Sequence, residues 1–396
     1  MAHQHPKRVR RPWRSPSAVR WLAAALALAL SVLALRAVLE SELRDASRTW
    51  VNRGLARGAV VALHWHDGAL DAATTNGVFR TADGGATWQS LLAVPSERRV
   101  QGAAFGAGSP PAIALGTAAG LLLSVDGGAT WREALPAEQH AAVFGVGLGP
   151  GERVYAAQEG AALTSADGGA RWRSARDGVP ALPFLAFSPE PTAPERILAG
   201  GDGGLFVSAD GGGTWRPVPA WPADAQVRTI VRRASDPAHV YVGASGLGAG
   251  GLYASRDGGA TWQPLGRDTL FSDHVSVVLD AGDAQYVGTR GVADTDTVGG
   301  VWASRDGGRT WAQVKTKLSN TDVISLALEP GPPRALYAGT EGGVVFRYTL
   351  DAWWVGLVPW LPALSLVEPL ALGVTLTLLV VAFAGLRRRA PAARAG

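Results

Sequence analysis

Apolar and polar positions follow three different rhythms along the 396-residue chain. Residues 21–35 are Trp21 followed by a run of Ala, Leu and Val broken by one Ser, and the apolar character continues past Arg36 through Leu39. Residues 369–386 are a second uncharged stretch, followed at once by Arg387, Arg388 and Arg389. About 20 apolar residues span a bilayer core, so residues 18–39 and 369–386 are predicted transmembrane helices. Between them the pattern changes to short alternating or continuous apolar runs bounded by glycine, which predicts strands. Residues 184–188 read as a first strand, 240–243 as a second, and 204–208 as a third.

A repeat organises these strands. The octet Ser-x-Asp-Gly-Gly-x-Thr-Trp recurs at residues 81–88, 124–131, 165–172, 208–215, 255–262 and 304–311. Its aspartates are Asp83, Asp126, Asp167, Asp210, Asp257 and Asp306, and its tryptophans Trp88, Trp131, Trp172, Trp215, Trp262 and Trp311. A period of 40–50 residues with strand-like flanks is the signature of a β-propeller with one four-stranded blade per repeat. Each octet is predicted to turn the chain from third strand to fourth, the fourth starting at the Trp. Asp followed by two glycines suits such a turn: the carboxylate accepts backbone N–H groups, and glycine takes the positive-φ positions.

Six octets do not limit the ring to six blades. A further set of strands is expected at 322–329, 335–339 and 343–347, after which the box has decayed to Thr349-Leu350-Asp351. Its missing fourth strand is found at the other end of the domain. Residues 43–50 match the octet at 304–311 in Arg44, Asp45, Arg48, Thr49 and Trp50, without the glycines. The fold class is therefore all-β, a seven-bladed β-propeller over residues 43–351. A strand near 49–53 closes the ring as the outer strand of blade seven, which leaves no open sheet end. Both chain ends should then leave from the face that carries the octets.

The octet resembles the Asp-box of the sialidase (BNR-repeat) propellers, with Thr81 and Arg171 as departures at the first and seventh positions. That resemblance implies that the boxes are structural and lie away from the ligand face. In style the chain is similar to non-catalytic sortilin-like receptors and photosystem assembly factors. Xyloglucanases also carry such boxes. Sialidases place an Arg-Ile-Pro-like segment ahead of the first box, whereas here Val60-Val61-Ala62-Leu63-His64 contains no Arg, which argues against sialidase chemistry. Tyr155, Tyr241, Tyr286 and Tyr337 fall in second strands and Tyr253 in a third, positions of blade packing.

Charge refines the picture. The chain carries 37 Lys and Arg, 33 Asp and Glu, and no Cys. Six of the basic residues lie in residues 1–20 and four in 387–396, without an acid in either tail. The remainder is mildly acidic, so the high pI does not signal a nucleic-acid partner. Basic flanks stay cytoplasmic. The expected topology is thus a cytoplasmic tail (1–17), a span (18–39), an extracytoplasmic propeller (43–351), an interfacial Trp/Pro segment (352–368), a second span (369–386) and a second cytoplasmic tail (387–396). A cleaved signal peptide is the rival reading of the N-terminus.

Without Cys there is no disulfide framework, thiolate site or Cys nucleophile. Two second-to-third-strand loops are extended, at 244–251 and 290–300. With the link between blades five and six they gather Arg267, Asp273, His274, Arg290, Asp294 and Asp296 as binding-face candidates. Asp273 and Asp294 are the catalytic alternatives, since glycoside hydrolysis uses a pair of carboxylates. The competing reading is an ordinary charged loop rim. Asp294 and Asp296 lack the rest of a calcium loop. His64 and His66 alternate about Trp65 with no third metal ligand in sequence. No cofactor and no metal is assigned. A membrane-tethered module for a protein or glycan partner is the first functional expectation, an Asp-box glycosidase the second. A transmembrane sensor has little to work with in such short tails.

Overall fold

Continuous apolar runs closed by glycine turns become strands buried on both faces. Residues Ile113–Thr117, Gly120–Ser124 and Ile197–Gly201 are buried along their whole length. Such strands require a sheet on either side. The computed structural model describes residues 50–350 apart from 220, 271, 292–298, 315–317, 319–321 and 332–333. Within these residues the strands form seven four-stranded antiparallel sheets.

Blade one is Val60–His66, Ala69–Thr74, Gly77–Thr81 and Gln89–Ala93, from inside to outside. Blades two to six repeat this order, with inner strands Val100–Phe105, Gly145–Gly149, Phe184–Pro189, Gln226–Arg233 and Val275–Asp280. The outer strands begin one residue after each box Trp, for example Arg132–Glu133 and Ala312–Gln313. Sequence pattern placed the Trp itself in the strand. At two boxes its backbone N–H is spent elsewhere: Trp311 N–H donates to Thr269 Oγ1 (3.1 Å) and Trp215 N–H to the Asp177 carbonyl (3.2 Å).

Blade seven comprises Val323–Glu329, Ala335–Thr340 and Val344–Thr349, completed on the outside by Val51–Leu55. The N-terminal strand therefore closes the ring, displaced two residues from the expected 49–53. Its register pairs Val51 with Arg347 and Leu55 with Val344, with an irregularity between. Trp50 behaves as a box tryptophan. It is buried, packs on Tyr348 at 5.2 Å, and donates its indole N–H to the Val314 carbonyl (2.9 Å) just beyond the outer strand of blade six. Trp172 makes the equivalent bond to Ala134 O (2.6 Å), and Trp88 bonds Arg53 O (2.9 Å) in the closing strand. The rest of the degenerate box, residues 43–49, lies outside the described residues.

Close approach between sheets selects glycine near the end of most second strands. A Cβ at Gly339 would lie 2.6 Å from Val60 Cγ1 in blade one, so no side chain fits there. Ser325 Oγ donates to Val60 O (2.7 Å) across the same junction. The Val51 and Thr349 ends of blade seven sit where the other blades carry their boxes, as antiparallel pairing requires. This is the box face. The opposite face, the link face, carries the second-to-third-strand loops and the links between blades.

The predicted spans, the interfacial segment and both basic tails lie outside the described residues. Among the described residues no helix is long and apolar enough to cross a membrane. Because Trp50 is the last described contact before the chain leaves the ring, Trp50→Ala should lower stability by ~3–5 kcal/mol, the usual cost of truncating a buried Trp. A urea titration of the variant checks this. A loss below ~1 kcal/mol would mean that the closing strand does not depend on its tryptophan.

Candidate functional site

The two faces spend their polar groups differently. On the box face each aspartate is fixed inside its own turn. Asp126 Oδ1 accepts the Ser124 hydroxyl (2.8 Å) and the Thr130 N–H (2.9 Å), and Oδ2 accepts the Thr130 hydroxyl (2.5 Å). Ser124 Oγ in turn accepts the Gly128 N–H (2.8 Å). The same bonds recur at Asp83, Asp210, Asp257 and Asp306, with Thr81 serving as well as Ser. At Asp167 the bond from the seventh residue's hydroxyl is missing because Arg171 has none, and the Ser165 hydroxyl (2.9 Å) and Arg171 N–H (2.9 Å) remain.

These bonds favour the ionised carboxyl. The Thr130 hydroxyl and N–H, with the Ser124 hydroxyl, bring Asp126 down to about 2. The Thr214 N–H, with the Ser208 and Thr214 hydroxyls, brings Asp210 down to about 2. Asp83, Asp257 and Asp306 are lowered by their Thr hydroxyls and N–H groups in the same way.

Polar side chains also bind within and between blades on this face, as Arg80 Nη2 does in donating to the Gly127 carbonyl of blade two (3.0 Å). Asp71, fully buried, is held by Arg80 through Nε–Oδ1 (2.7 Å) and Nη2–Oδ2 (2.8 Å), and His66 Nε2 lies 3.0 Å from its Oδ2. His64 stacks on Phe105 at 5.2 Å, and burial, with His66 adding to it, lowers its pKa. No group of three or more potential metal ligands occurs among the described residues. Arg233 joins Asp280 (2.8 Å) and the Tyr241 hydroxyl (2.7 Å) across blades five and six, while Arg232 is half-buried against Pro237 O (3.0 Å).

Three of the six candidate residues meet on the link face. Asp273, His274 and Arg290 come together at the inner ends of blades five and six. Asp273 Oδ2 accepts the Gly248 N–H (3.2 Å), and its carbonyl accepts the Gly246 N–H (3.2 Å). The Gly250 N–H closes the same loop on Gly246 O (2.7 Å). The result is a pinned glycine loop with Leu247 80% exposed at its tip. His274 offers its carbonyl to the Arg290 N–H (3.1 Å), and Arg290 pairs with Glu341 of blade seven (3.2 Å). Arg267 reaches the same loop through Tyr253: its Nη2 donates to the Tyr253 hydroxyl (3.5 Å), which donates to Ala249 O (2.5 Å). Asp294 and Asp296 lie outside the described residues.

One pair escaped sequence reasoning. Arg228 forms an ion pair with Asp202 of blade four (2.8 Å) and donates to Ser245 Oγ (3.2 Å) and Gln226 Oε1 (2.5 Å). The only signal was two polar residues in an inner strand, and the partner lies across a blade boundary.

This geometry defines the chain as a seven-bladed β-propeller. No sequence family matches the chain, and no curated protein matches it in sequence. Solved structures share the fold. A GH74 xyloglucanase from Xanthomonas campestris aligns at 18% identity with a TM-score of 0.59, over 77% of this chain and 54% of that one. YCF48 bound to D1 peptide aligns at 17% identity with a TM-score of 0.54, over 76% and 97%. A catalytically inactive virginiamycin B lyase from Staphylococcus aureus, with quinupristin, aligns at 10% identity with a TM-score of 0.60, over 76% and 99%. The chain spans about half the length of the GH74 structures it resembles. Enzymes and non-enzymes thus share this architecture, and the likeness is one of fold.

The carboxyls of Asp126 and Asp210 titrate lower in the folded chain than in the unfolded one. Their contribution is therefore complete above about pH 4 and is lost as pH falls through about 2. Asp126→Asn should lower the melting temperature at neutral pH and differ little from the parent near pH 2. Thermal melts across this range check it. An equal deficit at every pH would show that the charge of Asp126 does not matter.

Proposed function

We propose that the chain is a membrane-tethered, extracytoplasmic propeller whose link face docks a protein or glycan partner without catalysis. The observation that supports this most is the division between its faces. Both ends of the ring leave on the box face, so tethering there frees the link face. On that face Asp273 and Arg290 already hold loops together, and a glycine loop presents Leu247 to solvent. Loops held on a rigid scaffold are where binding residues concentrate. Among the structures sharing the fold, YCF48 is bound to a peptide, and another is the extracellular domain of a putative one-component system from B. thetaiotaomicron. The two apolar stretches and their basic flanks supply the tether and its direction.

The second reading is a glycoside hydrolase working through Asp273 with Asp294, favoured by the GH74 likeness. A panel of glycosides distinguishes the two. The purified full chain should turn over none of them, and turnover that vanishes in Asp273→Asn would establish the hydrolase instead. For the topology, single Cys residues placed in the two tails of this Cys-free chain should resist impermeant maleimide on intact cells. Labelling of both tails from outside would overturn the tether.

A further inference from the structure

The link that closes the ring is unlike the others. It has four residues, 56–59, where the other six links have six to eleven. Elsewhere the link covers the outer half of the blade it leads into. Trp221 packs on Tyr253 at 4.9 Å, Leu270 shares an apolar cluster with Trp302, and Val179 packs on the cluster that holds Phe206. These covered residues occupy one register position, opposite the outer strand, and the equivalent residue of blade one is Phe79, opposite Ser90. The residue over Phe79 is Arg57, its guanidinium 5.7 Å from the ring centroid.

A charged side chain thus replaces the apolar plug, and an open groove of about 660 Å3 remains between blades seven and one. Its polar lining is Arg57, Asn76, Ser90 and Ser96, with no acid among them. Arg57 has no carboxylate partner among the described residues. The backbone ahead of it is constrained: Leu55 and Ala56 are both left-handed (φ 81° and 40°), a conformation that non-glycine residues keep only when their surroundings impose it. The groove also runs beside an accessible sheet edge. The outer strands Val51–Leu55 and Gln89–Ala93 have five residues each, against two or three in the other blades. An outer edge carries unpaired N–H and C=O groups that accept an added strand.

The geometry points to a peptide site: an extended acidic segment lies along the free edge of Gln89–Ala93 and sets a carboxylate against Arg57 above Phe79. A guanidinium fork resting on an aromatic face matches a carboxylate with two parallel hydrogen bonds. The Ser90 hydroxyl and the Asn76 amide supply further donors, while Ser96 Oγ donates to Glu97 Oε2 (3.3 Å). This site goes beyond the docking role proposed above and needs no membrane tether. Its failure and the failure of the tether are therefore separate results.

Fluorescence anisotropy on the full chain in detergent tests it, using a labelled, end-blocked peptide Thr-Val-Thr-Glu-Thr-Val-Thr and its Gln counterpart. The Glu peptide should bind about tenfold more tightly than the Gln peptide. Arg57→Gln should erase that difference. Arg57→Leu, which restores an apolar cover, should abolish binding of both peptides and raise the melting temperature. Near-UV tryptophan signals confirm that each variant is folded. Equal affinity for the two peptides, a Glu preference that survives Arg57→Gln, or no binding of either up to about 1 mM would overturn the site.

Discussion

Closure of the ring by Val51–Leu55 is the interaction on which the remaining architecture rests. Six blades are continuous in sequence, and the seventh becomes a four-stranded sheet only when the N-terminal strand pairs with Val344–Thr349. Without it blade seven would lack its outer strand, and Trp88 of blade one would lose the Arg53 carbonyl. The same pairing sets direction, because the strands on either side of the closure meet their flanking segments on the box face. It also makes the closing link the shortest of the seven, and so leaves Phe79 under Arg57 instead of an apolar side chain. Closure, chain direction and the groove are three consequences of one pairing.

The two faces divide the polar chemistry. On the box face the aspartates accept hydroxyl and N–H groups from their own turns, which lowers their pKa values and occupies their oxygens. A carboxylate held this way stabilises a turn and has little capacity left for a substrate. On the link face the charged residues bridge loops across blade boundaries, as Arg290 does to Glu341 and Arg228 to Asp202. These contacts shape the surface and leave Leu247 and Leu182 exposed on it. That division supports the proposed docking role.

Much of the fold was legible because its determinants are local. An octet is a turn, and its period counts blades. Even the closing strand could be found, since Trp50, Thr49 and Arg48 keep octet positions although the glycines are gone. One residue of the two-residue displacement arises because every outer strand begins one residue after its tryptophan. The candidate site was less legible. Loop position groups Asp273, His274 and Arg290, and the fold brings these three together, but nothing in sequence announces that Asp273 spends its carboxylate on Gly248. Arg228 and Asp202, or Arg57 and Phe79, meet only after neighbouring sheets pack, and separation along the chain carries no trace of that meeting.

The ring closes on its N-terminal strand, and the central proposal is that, tethered through its box face, it points its link face away from the membrane. The most direct measurement is the rate at which a bulky impermeant maleimide labels two single-Cys variants of this Cys-free chain, in membranes oriented with the outer surface exposed. One variant places the thiol at Leu247 on the link face, the other at Val125 on the box face, both exposed on the ring (80% and 65%). Rapid labelling at 247 with marked protection at 125, relieved when detergent dissolves the membrane, is the predicted result. Equal rates at the two positions, or faster labelling at 125, would contradict the account.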